Sequence, residues 1–153
     1  MIGIYPDNFR KKVIFLLALL VFSTPIFAQT AERLETLLNE KAITWSQAAA
    51  FTLEAARVTT GNKTAFNFAA EKKWLPKNAA PEGKTSLKGV SLLLMKSFDL
   101  EGGLFYRIFQ SGNHAYRELV NKNVIRAEKA PSSSVTGPEF LFFINRILSI
   151  RGE

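Results

Sequence analysis

The chain carries a single histidine, His114, and no cysteine. One imidazole without thiolates is a poor basis for a metal site. It stands in the turn "SGNH" (111–114), where a capping or surface role suits it better than acid–base duty. Any serine nucleophile would have to rely on this one imidazole. The "EGG" at 101–103 is not followed by the Lys-Ser/Thr pair of a phosphate-binding loop. Glu118, Glu128 and Glu139 are carboxylates in the right half of the chain. A glycan-cleaving pair needs two of them about 5 to 9 Å apart across a cleft, and Glu139 already sits where a helix cap is expected. No catalytic residue, metal ligand or cofactor site is therefore assigned. The remaining chemistry is that of binding. Trp45, at the first position of a helix, is expected to face outward as a platform for a sugar ring or a protein partner. Trp74 occupies an apolar position and is expected in the core. In "LFYRIFQ" (104–110), Tyr106 and Arg107 can stack on or bond a ligand, while Leu104, Phe105, Ile108 and Phe109 are expected to fill space between structural units. Trp45, Tyr106 and Arg107 are the ligand-binding candidates.

Helices must position these groups. Leu34, Leu37 and Leu38 recur at helical spacing in 30–40, with Thr30 as a cap. "ITWSQAAAFTLEAARV" (43–58) opens on a capping box: Thr44 at the cap, Gln47 three residues on, and Ile43 and Ala48 at the flanking staple positions. Further helices are expected over 64–75, 87–100 and 115–125, with loops at 76–86 and 126–134. The segment 104–110 is short enough for a helical turn or a strand, and helix is preferred because no strand partner exists elsewhere. "SVTGPEFLFFINRIL" (134–148) closes the chain with a second capping box, Thr136 with Glu139, and with Pro138 in the first turn, where no N–H is missed. Thr44, Gln47, Thr136 and Glu139 are structural caps.

Residues 1–28 have the layout of a secretory leader. Arg10, Lys11 and Lys12 precede ten apolar residues, 13–22, and a Ser-Thr-Pro break leads to Ala28, after which cleavage is expected. Ten residues fall short of the roughly 20 that cross a bilayer, so no transmembrane span is expected after cleavage. The processed chain, 29–153, is then one domain of an exported protein, held together by packing rather than disulfides. The whole chain carries 20 Lys and Arg against 13 Asp and Glu. Removing Arg10, Lys11, Lys12 and Asp7 with the leader leaves 17 against 12, a net charge of +5. The basic residues are scattered, which describes a solvated surface, and export argues against a nucleic-acid partner.

The chain also repeats itself. Residues 65–81, "AFNFAAEKKWLPKNAAP", lie over 115–131, "AYRELVNKNVIRAEKAP", at an offset of 50: Ala65 with Ala115, Trp74-Leu75 with Val124-Ile125, Ala80-Pro81 with Ala130-Pro131. Beyond the loop an offset of 48 sets Gly89 against Gly137 and "LLLM" (92–95) against "FLFF" (140–143). The capped helix start recurs a third time, as Ile43-Thr44, Leu87-Lys88 and Val135-Thr136. Lys88 cannot accept a backbone hydrogen bond, so the middle helix is expected to start less sharply or to use Ser86 as its cap. A period near 50 residues implies stacked helix–loop–helix units.

This unit resembles the S-layer homology domain. Residues 115–148 look like one full unit, 65–98 like a second, and 43–57 like the end half of another. The resemblance implies an all-α repeat of about two and a half units. It also implies non-covalent anchoring of an exported protein to the cell envelope, through peptidoglycan or an associated anionic glycan bound between units. In that family an Arg follows the capping Thr and serves ligand binding; Trp45, Gly89 and Gly137 stand at the matched positions here. The expected role is that of a non-enzymatic periplasmic or envelope protein. The alternative is a periplasmic subunit or chaperone-like protein that binds an envelope protein through apolar helix faces.

Overall fold

A computed structural model describes residues 25–153. The expected leader lies outside these residues except for 25–28, whose backbone is helical. Seven helices are present among the described residues: α1 Pro25–Asn39, α2 Trp45–Ala55, α3 Ala65–Glu71, α4 Leu87–Ser97, α5 Leu104–Phe109, α6 Gly112–Asn121 and α7 Gly137–Arg151. There is no strand among them, only an isolated bridge between Thr44 and Lys84. The all-α class is as expected, and 104–110 resolves as helix. The first helix starts at Pro25 rather than after Thr30, so the expected cleavage point falls within it. Residues up to Thr36 form one unit and Leu37–Glu153 a second, compact one.

In the second unit, three helix starts are tied to one another by main-chain hydrogen bonds. A helix leaves its first N–H groups without internal partners. At α2, Trp45 N–H donates to the Gly83 carbonyl at 3.1 Å and Ser46 N–H to Pro81 at 2.9 Å. Those carbonyls belong to the loop before α4. At α4 the pattern repeats: Leu87 N–H donates to Ser133 and Lys88 N–H to Pro131, both at 2.8 Å, in the loop before α7. At α7, Gly137 N–H donates to Glu40 at 2.9 Å, just before α2, and returns the series to its beginning. The next residue there is Pro138, which has no N–H to satisfy. Ile43, Thr85 and Val135 meet at the centre. Ile43 N–H donates to the Val135 carbonyl at 2.9 Å and Thr85 N–H to the Ile43 carbonyl at 3.0 Å, and all three residues are buried.

This network corrects the register of the middle copy. Ser86, not Lys88, is the cap of α4, and it makes no side-chain cap hydrogen bond. Thr85-Ser86-Leu87 therefore corresponds to Ile43-Thr44-Trp45 and Val135-Thr136-Gly137. The offset between the second and third copies stays at 50 beyond the loop instead of changing to 48. Leu87, not Gly89, stands opposite Trp45 and Gly137. Gly89 falls at the third helical position, where Gln47 and Glu139 return the capping bond in the other copies, so α4 has no capping box for a reason visible in its residue types.

The helix ends repeat as well. Lys73 and Asn123, fifty residues apart, both take left-handed backbone, with φ of 58° and 56°. In each the following amide reaches back five residues at 2.9 Å, Trp74 to Ala69 and Val124 to Leu119. Arg57, Asp99 and Gly152 end α2, α4 and α7 in the same way, with φ of 55°, 48° and 76°. These are Schellman-type stops, and only the last uses the residue that enters this region without steric cost.

Candidate functional site

The last helix of the chain, α7, has two distinct faces. Phe140, Phe143, Ile144 and Ile147 are buried in the core. Phe142, Asn145, Arg146 and Ser149 follow the same helical spacing on the exposed side. With the chain that leaves α6 (Asn123, Ile125, Arg126, Ala127) they line a cleft of ≈ 620 Å³. Two guanidiniums, two side-chain amides and a hydroxyl face this volume, and no carboxylate lines it. Phe142 is 47 % exposed and stands edge-on to the buried Phe143, with centroids 6.4 Å apart. Arg146 Nε donates to the Asn123 carbonyl at 3.4 Å, which ties the helix to the opposite wall.

Ile125, Arg126 and Phe142 also border a second hollow, of ≈ 350 Å³, which runs toward the start of α7. Lys129 and Glu139 lie in it and form an ion pair. Glu139 is also the capping residue. Its Oε2 accepts from the Thr136 N–H at 3.0 Å and the Thr136 hydroxyl at 2.9 Å, while its own N–H donates to Thr136 Oγ1 at 3.4 Å. Burial pushes its carboxyl pKa up, but the Lys129 ammonium and both Thr136 donors outweigh this and hold it below the usual carboxylate range. Glu139 is thus an ionised cap and not a proton donor.

The sequence candidates are distributed differently. Thr44 and Gln47 form the other capping box, with Thr44 N–H donating to Gln47 Oε1 at 2.9 Å and Gln47 N–H to Thr44 Oγ1 at 3.2 Å. Trp45 is not an open platform. It is 5 % exposed, and a Cβ added at Gly89 would lie 2.4 Å from its ring. The side chain leaves the helix start sideways and packs on the next copy's first turn, which is why the outward expectation fails. Trp74 is half-buried against Phe68, edge-on with centroids 5.8 Å apart.

Tyr106 and Arg107 lie with Met95, Lys96, Asp99 and Gln110 around a hollow of ≈ 460 Å³. Arg107 is exposed, but Tyr106 is 6 % exposed. Burial, then the charges of Asp99 and Glu118, push its phenol up to about 12, so it stays a neutral donor. The expectation that the apolar residues of α5 fill space between units is wrong. Leu104, Phe105, Ile108 and Phe109 are 60 to 67 % exposed, because this six-residue helix turns only Tyr106 inward. His114 sits in the first turn of α6, with Nδ1 sharing a hydrogen bond with Ser111 Oγ at 2.7 Å.

No family model, curated protein or solved structure matches this chain. Sequence reasoning missed Arg126, Arg146 and Phe142 because they belong to no motif. The available signal was the second helical stripe of α7, polar at 145, 146 and 149 beside one aromatic.

Proposed function

We propose that this is an exported, non-catalytic protein of the cell envelope, and that the cleft along α7 holds an acidic wall glycan. The observation that carries this is the chemistry of the cleft: Arg126 and Arg146 with no lining carboxylate, beside the exposed Phe142 ring. A guanidinium pairs a carboxylate or phosphate oxygen through two parallel N–H bonds. An aromatic face suits the apolar side of a sugar ring, and Asn123 and Asn145 can serve its hydroxyls.

The three linked helix starts add support from the fold. They accord with the stacked units that the S-layer homology resemblance implies, with α2 as the end half of the first. The family's own binding position is not reused. Gly137 occupies it in the third copy, and a Cβ there would lie 1.6 Å from the Leu37 carbonyl oxygen. Any ligand-binding arginine must come from elsewhere, and the cleft supplies two.

The test is co-sedimentation of the processed protein with purified sacculi that retain their acidic polymers. The protein should pellet with them and be released by salt. Arg126→Ala with Arg146→Ala should weaken binding about tenfold or more, with circular dichroism showing the fold intact. Failure to pellet, together with recovery of one stoichiometric protein partner, would replace this function by that of a periplasmic interaction subunit.

A further inference from the structure

We propose that α5 is a second, independent contact element, one that lays its apolar face into the surface of an anionic lipid bilayer. Leu104, Phe105, Ile108 and Phe109 stand at i, i+1, i+4 and i+5 of one short helix and are 67, 66, 62 and 60 % exposed. They form one contiguous face, opposite the inward Tyr106. Each is of a type that belongs in a core, and together they are the densest exposed apolar group among the described residues.

The face is held rigidly. Tyr106 anchors it from below, and Lys96 Nζ bonds the Gln110 side chain at its end while lying 6.0 Å from the Tyr106 ring centroid. Gln110 closes the helix in left-handed backbone, and its N–H donates to the Tyr106 carbonyl at 2.8 Å. The Phe105 and Phe109 rings stack on His114 from 6.4 and 5.2 Å, both at 17°. Two large rings are thus braced while still largely exposed to water.

Size and charge select the occupant. Four side chains about two-thirds exposed present roughly 500 Å². A stable protein interface needs about 800 Å² from each side, so the face is too small to pair two copies by itself. A lipid surface needs no matching shape, and a rigid apolar face can sink into the headgroup boundary. Arg107 is exposed on α5 itself, and Arg117 is exposed one helical turn beyond His114. The processed chain, with 17 basic against 12 acidic residues, carries a net +5, which favours anionic headgroups. Glu118 lies at the start of α5, beside Gly103, and Asp99 and Glu101 border the hollow on the inner side of the helix with Tyr106, away from the apolar face. No helix among the described residues is long and apolar enough to cross a membrane, so the contact is with the surface.

The experiment is flotation of the processed protein, as isolated from cells, with vesicles of phosphatidylcholine alone or mixed equally with phosphatidylglycerol. The wild type should float with the mixed vesicles and much less with the neutral ones. Phe105→Ser with Phe109→Ser should lower partitioning roughly tenfold or more, and Ile108→Glu should do the same from a single site. Arg107→Gln should cost roughly fivefold on anionic vesicles alone. Circular dichroism should show all variants folded, and sacculus binding should persist in them, which separates this element from the cleft. Absence of wild-type flotation, or equal flotation of the variants, overturns the proposal. A dimer in sedimentation velocity that the same variants dissolve would also overturn it, in favour of a second copy.

Discussion

Met95 and Lys96 of α4, and Asp99 just beyond its end, stand fifty positions before Asn145, Arg146 and Ser149 of α7, counted from the caps Ser86 and Thr136. The two sets match in position relative to those caps, but their surroundings differ. In the second copy Met95, Lys96 and Asp99 border a hollow of ≈ 460 Å³ whose other wall includes Tyr106 and Gln110. Met95 is 1 % exposed there. On α7 the face is Asn145, Arg146 and Ser149, which are exposed and form the wall of a cleft. In the second copy one added helix walls the hollow, with Lys96 bonded to the Gln110 side chain and lying over the Tyr106 ring. The same helix displays Leu104, Phe105, Ile108 and Phe109 to solvent. The linked helix starts thus provide the scaffold, and the segments that differ around them provide the surfaces.

The two copies also differ at their helix starts, and that difference can be broken in several places. The largest effect should come from Gly137→Ala. Its methyl would meet a main-chain carbonyl of the α1 terminus, an obstacle that cannot rotate away. Denaturant titration should show a loss of about 3 kcal/mol or more. Gly89→Ala meets the edge of the Trp45 ring, which can shift, and should cost less, about 1–3 kcal/mol. Equal losses would mean that the tight junction is not specific to the third copy.

Caps come next. Thr44→Ala and Thr136→Ala should each cost about 1 kcal/mol. Ser86→Ala should cost a few tenths at most, because Ser86 makes no side-chain cap bond. A full-sized loss at Ser86 would mean that its hydroxyl does cap α4 and would contradict the difference drawn between the copies. The same junction offers a gain of similar size. The Thr85 hydroxyl is buried without a partner, in the place that Ile43 and Val135 fill in the sister copies. Thr85→Val should raise stability by about 1 kcal/mol.

These positions also show what the chain discloses before it is folded. The capping boxes at 44–47 and 136–139 were legible because both partners are local and of diagnostic type. The fifty-residue offset was legible through 65–81, where aromatic and Ala-Pro pairs recur. The middle register was not, because Ser86 and Lys88 offer competing alignments and only the carbonyls of a distant loop decide between them. The left-handed stops at Arg57, Lys73 and Asp99 were hidden because none is a glycine. Trp45 and α5 were misplaced for one shared reason. Residue type predicts burial only on average, and a ring that reaches into a neighbouring helix start, or a helix of six residues, escapes that average. The cleft was invisible because its two walls lie some twenty residues apart and neither carries a signature.

A smaller effect concerns acidity. The Glu139 carboxyl is held below its ordinary range in the folded chain. Its contribution is therefore present above the unfolded value and is lost as pH falls through the lowered folded one. Thermal midpoints followed from neutral pH down to about pH 3 should fall less steeply in Glu139→Gln than in the wild type. No counterpart of this effect exists in the second copy, where Gly89 takes the position.

The contrast between an open and a covered face is tested most directly by an amide NMR titration with an acidic wall-glycan fragment. The expected result is shift changes confined to 123–127 and 142–149, absent at 95–99, and abolished by Arg126→Ala with Arg146→Ala. Changes centred on 95–110, or no saturable change in the α7 cleft, would contradict the account.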